Sequence, residues 1–180
     1  MSKAFRYFFS AIVITTLLLG SMAMAPAARS DATVHLKGGS FIPAQSNYAQ
    51  GSQKYFIVQF SGPVQQAWKD AVTAEGAEIL YYLPDFAFKV RMNPGIARRV
   101  ERLNSVSAVG AYQPEFKFGS NLKRDGQGYL YRILIERGSD YGLVRSLVAQ
   151  TGADVLGFEN DIQVVAANGA FVDAIAQVDD

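Results

Sequence analysis

Between Lys54 and Tyr112 the apolar pattern switches between the period of a strand and that of a helix in one fixed order, and this limits the possible folds most. Tyr55 to Phe60 is β-branched and aromatic, which predicts a strand. Ser61-Gly62-Pro63 is expected to open a helix, with Pro63 in the first turn, where its missing N–H costs nothing. Val64, Trp68, Ala71 and Val72 recur at helical spacing and form one stripe, and Gly76 is placed to close that helix in a left-handed conformation. Ile79 to Leu83 reads as the next strand, with Pro84-Asp85 as a turn. Beyond it Phe86, Phe88, Val90 and Met92 point one way and Ala87, Lys89 and Arg91 the other, the alternation of a sheet covered on one face only. Asn93-Pro94 is a cap with a first-turn proline. Ile96, Val100 and Leu103 make the second helical stripe, with Arg98, Arg99, Glu101 and Arg102 on its wet side, and Val106 to Tyr112 is the closing strand. Two βαβ halves of this kind build an α+β ferredoxin-like (βαββαβ) unit, two helices on one face of a four-stranded antiparallel sheet.

The same order then returns. At one constant offset Tyr55 meets Tyr131, Ile57 meets Ile133, Gly62 meets Gly138, Trp68 meets Val144 and Val72 meets Val148. Ala74 to Leu80 meets Gln150 to Leu156 without a gap, Asp85 meets Asp161 and Phe88 meets Val164. Phe171, Ile175 and Val178 continue as a second helix after a one-residue slip. The expected fold is therefore two tandem ferredoxin-like units, at 54–117 and 128–180, joined by a linker at 118–127. One strand resists the match: Phe56, Val58 and Phe60 meet Arg132, Leu134 and Glu136, whereas Tyr131, Ile133 and Ile135 make the more apolar face. A one-residue change of register would swap those faces, and both registers remain open at this point. The chain reaches Asp180 where the second unit would enter its last strand, so that unit is expected to lack it. A piece of a longer precursor is the expectation, ahead of a chain that takes a strand from a partner.

Ahead of the first unit, Lys3 and Arg6, the apolar run Phe8 to Leu19 and the small residues Ser21 to Ala28 make a signal peptide over 1–27. The run falls short of the ~20 residues that a membrane span needs. Export to a periplasm or to the medium follows, with no membrane attachment after cleavage. Residues 28–53, rich in turn formers, read as a linker or arm. What remains, about 150 residues, can bury one good core or two small ones. Without cysteine, an exported chain must hold them by packing alone.

A formal charge of +1 gives no electrostatic footprint for nucleic acid. Nucleophilic catalysis needs a nucleophile beside a base, and the single histidine, His35, lies in the expected linker with no motif around it. Glu159 and Asp161 flank Asn160 at a hairpin, where turn chemistry accounts for them, and no clustered ligands point to a metal. No glycine-rich phosphate loop follows a strand. Phe86-Ala87-Phe88 departs from the RNA-binding strand signature, so core packing is expected for Phe86 and Phe88. The residues suggest no enzyme and no cofactor.

Several segments nevertheless form a familiar series: Lys54 to Val64, the Trp68 helix, Gly76-Ala77-Glu78, Tyr82 to Phe88 and Val109-Gly110-Ala111-Tyr112-Gln113-Pro114. In this order they resemble the N-terminal prodomain of secreted subtilisin-like serine proteases, of the fervidolysin-like type related to the inhibitor I9 group. The resemblance covers 54–117 well and 128–180 more loosely. It implies a folding assistant and temporary inhibitor of a serine protease catalytic domain, in cis or in trans. The exposed sheet face would pack on the enzyme, and Lys89, Arg91, Tyr112, Gln113 and Pro114 would be the protein-binding residues. The alternative is a stand-alone exported module that binds a protein or peptide.

Overall fold

The computed structural model describes residues 33–36, 39–42 and 53–178. The expected signal peptide, and residues 28–32, 37–38 and 43–52 of the expected arm, lie outside the described residues.

A short hairpin, β1 (Val34–Leu36) and β2 (Gly39–Phe41), precedes the first unit. That unit runs β3 (Tyr55–Phe60), α1 (Gln66–Ala74), β4 (Glu78–Leu83), β5 (Ala87–Arg91), α2 (Pro94–Val100) and β6 (Val106–Ala111). Its strands lie in the order β4-β5-β3-β6, antiparallel throughout, which is the ferredoxin-like arrangement. The second unit runs β7 (Gly128–Leu134), α3 (Tyr141–Gln150), β8 (Asp154–Glu159), β9 (Ile162–Asn168) and α4 (Val172–Ala176). Its order β7-β9-β8 repeats β3-β5-β4, and among the described residues no fourth strand stands beside β7.

Local chemistry sets the ends of the elements. Asn93 caps α2 through its side-chain oxygen, which accepts from the Ile96 N–H at 2.9 Å, and Pro94 fills the first turn. Asp140 caps α3 in the same way, accepting from Gly142 and Leu143. Gly76 closes α1 at a φ of 92°, in the left-handed region. Helix α1 itself starts only at Gln66, so Gly62 and Pro63 lie in the bends before it instead of in its first turn.

Phe56, Val58 and Phe60 turn toward the helices and are buried with Val72, Val90 and Val100, while Trp68 stacks on Phe60 at 6.0 Å. In the second unit Tyr131 and Ile135, not Arg132 and Leu134, join Val144, Val148 and Val165 in the core. This resolves the ambiguous strand. Relative to the constant offset, β7 and β9 are each displaced by one residue, whereas α3 and β8 keep it. A turn of Pro84, Asp85 and Phe86 becomes one of Asn160 and Asp161 alone, and the shorter turn moves β9 to the other phase. Of the expected helical stripe Ile175 and Val178 pack against the second core, whereas Phe171 lies 41% exposed at the start of α4, which also buries Val172 and Ala176.

Two expectations for the first unit are corrected. Its sheet is covered on both faces. The side away from the helices carries Tyr55, Ile57, Leu83 and Ala87, and Val34 and Phe41 of the hairpin seal it. Part of the expected linker is thus a structural cover, and β-branched and aromatic residues at Val34 and Phe41 fit a hairpin with one buried face. Phe86 is not in a strand; it sits in the turn at a φ of 60° and is 42% exposed. Phe88 does pack against the core, edge-on to Phe60. Among the described residues no helix is long and apolar enough to cross a membrane.

Candidate functional site at the junction of the two units

Strand alternation sends Lys89 to the side of β5 away from the helices, and there it is only 6% exposed. Its ammonium lies 4.5 Å from the ring centre of Tyr55, 5.4 Å from that of Tyr81 and 4.4 Å from that of Tyr112. Such faces attract a cation through the ring quadrupole. From the second unit Glu136, just past β7, places Oε2 3.0 Å from Lys89 Nζ, forming an ion pair between the units with both side chains buried. Burial lowers the pKa of Lys89, and the Glu136 carboxylate works against that shift. Burial raises the pKa of Tyr81 and of Tyr112, and the nearby Glu136 charge adds to both.

Arg91, two residues along, faces the same way. It donates to Glu78 Oε2 at 2.7 Å and to the carbonyl oxygen of Arg137, a second tie between the units. Gly138 allows this approach: its φ of 77° suits glycine, and a Cβ there would stand 3.2 Å from Arg91 Nη1. Tyr112 is buried and donates from its hydroxyl to the Phe116 carbonyl at 3.0 Å. Gln113 and Pro114 are half-buried at the start of a 3-10 turn, Pro114–Lys117, that leads into the linker. The five residues expected to bind a partner thus cluster at the junction. Lys89, Arg91 and Tyr112 engage this chain's own groups there, and Lys89 and Tyr112 present little free surface.

Beside the ion pair is a cavity of about 260 Å³. Tyr81, Lys89 and Tyr112 line it from the first unit, and Ile133, Val148 and Ile175 from the second. The linker helps to wall it: Phe118 and Leu122 pack on the second core, and Lys117 Nζ donates to the carbonyls of Ala176 and Val178.

Among the described residues the two most exposed large apolar side chains lie on the second sheet. Leu130 is 70% exposed and Leu134 66%. Pairing with Ala166 and Ile162 places both on the face away from α3 and α4, with the half-buried Val164 between them. Leu156, at the bulge in β8, is also well exposed, and a charged pair on this face, Arg132 with Glu159, is solvent-exposed. An exposed apolar patch rimmed by charge marks an interaction surface. Sequence reasoning put its candidate binding residues on the first unit, left open which unit meets a partner, and did not single out this face. The signal was present in Leu134 and Glu136 standing where the repeat has Val58 and Phe60.

His35 is a strand residue of the hairpin. Its backbone N–H and Nδ1 lie 2.9 and 3.0 Å from Asp85 Oδ2, and these bonds hold the Asp85 carboxyl below its usual range. The pair ties the hairpin to the β4–β5 turn. Among the described residues no cluster of three or more His, Cys, Asp or Glu could hold a metal ion.

A family model described as a domain of unknown function, DUF8729, matches residues 35–113. The match begins in β1 and ends just past β6, so the hairpin and the first unit resemble that domain together. No curated protein and no solved structure matches the chain.

Proposed function

We propose that the chain is a non-catalytic, exported protein-binding module of the prodomain type, which docks on a subtilisin-like serine protease catalytic domain as folding assistant and temporary inhibitor. The observation that carries the binding part is the bare apolar face around Leu130 and Leu134, on a chain whose other sheet is covered. The partner class comes from the resemblance of 54–117 to protease prodomains. Docking runs through the second unit, because the first unit's equivalent face is closed by Val34 and Phe41. A surface of ~800 Å² per partner is the usual scale for a stable contact, and a three-stranded sheet face is a suitable platform for its apolar centre.

The test is titration of the purified chain into a subtilisin-type enzyme, reading residual peptidase activity and heat of binding. Saturable inhibition is expected. Leu134→Glu, a change at an exposed position, should weaken it by about tenfold or more, as for a central interface residue. Absence of binding at micromolar concentrations, or equal binding by Leu134→Glu, would count against this function.

A further inference from the structure

The two units differ at one strand position, and the geometry of that position identifies what fits it. Just past β7 the Ile135 N–H donates to the Asp161 carbonyl, and just before β7 the Gln127 carbonyl accepts from the Gly169 N–H. Antiparallel strands alternate the direction of their backbone groups, so Leu130, Arg132 and Leu134 turn N–H and C=O away from β9. Among the described residues no strand pairs along that side. In the first unit the corresponding side of β3 is filled by β6: Phe56 faces Ala111, Val58 faces Val109 and, past a bulge, Phe60 faces Val106. Tyr131, Ile133 and Ile135 take the places of Phe56, Val58 and Phe60. Where β6 would put its side chains, the second unit has the cavity, bounded by Tyr131 and Ile133 and by Val148 of α3 and Ile175 of α4. On its other side it is bounded by Lys89 and Tyr112 of the first unit and by Phe118 and Leu122 of the linker.

We propose that the β7 edge is a strand-acceptor site for an extended segment of a partner polypeptide. The segment runs antiparallel to β7, and its alternate residues, small or β-branched and aliphatic, enter the cavity as Val106 and Val109 do in the first core. Backbone pairing supplies affinity in this mode and the alternate side chains supply selectivity. The lining of α3 and α4 at the cavity is aliphatic, and its two buried charges, Lys89 and Glu136, already pair with each other, which selects against charge at the inward positions. The edge uses the backbone groups of Leu130, Arg132 and Leu134, and the bare face uses the side chains of Leu130 and Leu134. Backbone protection by peptide can therefore fail while Leu134→Glu still weakens protease binding, and the reverse.

The experiment adds a synthetic peptide with the sequence of residues 104–113, the chain's own β6 segment, to the full chain and follows amide hydrogen exchange residue by residue. Exchange at Leu130, Arg132 and Leu134 should slow by about tenfold or more on peptide binding. The V109D version of the peptide, and one N-methylated at alternate residues to remove its pairing N–H groups, should leave exchange unchanged. These controls act on the peptide, so folding of the protein is not in question. Four outcomes overturn the proposal. They are no slowing at millimolar peptide, equal slowing by the N-methylated peptide, and protection of the three amides in the protein alone, which would mean the chain's own residues hold the edge. The fourth is concentration-dependent dimerisation that protects them without peptide, which would make a second copy the occupant.

Discussion

The two units share a strand order and a pair of helices, yet one is closed and the other bare. In the first unit both sheet faces are buried, by α1 and α2 on one side and by the hairpin on the other. The second keeps one face in contact with its helices and leaves Leu130 and Leu134 to solvent, with β7 unpaired on one side among the described residues. The same fold thus serves as a core in one place and as a surface in the other. What decides is a few residues outside the repeat, Val34 and Phe41 above all. On the function proposed above, stability and binding are divided between the copies instead of competing within one.

The sharpest way to break this division is at the contact that joins the copies. Lys89→Met leaves the Glu136 carboxylate buried without its cation, and the expected cost is about 3–5 kcal/mol, read by denaturant unfolding. Adding Glu136→Leu should return most of that loss, because a buried ion pair and a well-packed apolar pair are often close in stability. If the double variant is as unstable as the single one, the pair does not act as a unit. The pH dependence has a definite sign. Lys89 has a lowered pKa in the folded chain, so between that value and the usual 10.5 the unfolded chain binds more protons and this group makes stability rise with pH. Above 10.0 the raised values of Tyr81 and Tyr112 act oppositely, since the folded chain then holds more protons. Lys89→Met should abolish the first slope and keep the second.

A smaller effect tests how well the second core is built. Gln163 is fully buried on the helix side of β9, where the first unit has Phe88, and neither its amide nitrogen nor its oxygen has a partner. Leaving such groups unsatisfied costs about 1–3 kcal/mol, so Gln163→Leu should stabilise the chain by that order. A melting point that is unchanged or lower would show that the amide is satisfied in solution. The expected gain makes the second unit the weaker of the two, in keeping with a unit that carries the bare surface.

How much of this was legible follows from which residues act locally. The caps at Asn93 and Asp140, the closure at Gly76 and the strand–helix order are set by neighbours a few positions apart, so their pattern can be read along the chain. The repeated strand–helix order and, among the described residues, the unpaired place beside β7 were legible through the internal repeat. The hairpin cover was not, because Val34 and Phe41 show their role only once they lie across Ile57 and Ala87. Lys89 misled for the same reason. A lysine alternating with apolar residues reads as the wet side of a strand, and only Glu136 and three tyrosines from distant positions make it an interior group.

The β4–β5 and β8–β9 turns carry the comparison to its finest scale. Asn160 takes its φ of 54° readily, since its short polar side chain tolerates the left-handed region, whereas Phe86 takes a φ of 60° with a bulky side chain half in solvent. The first turn is the longer by one residue, and Phe86 occupies a conformation that a Cβ disfavours by about 1–2 kcal/mol. Phe86→Gly removes that strain but also frees the unfolded chain, which offsets up to about 1 kcal/mol of the gain. The expected net change is therefore small and stabilising, below about 1 kcal/mol, in thermal unfolding. A clear loss of stability would assign Phe86 a contact that its exposure does not show. It would also mean that the longer turn is maintained for that side chain, with the one-residue difference in strand phase between the units following from it.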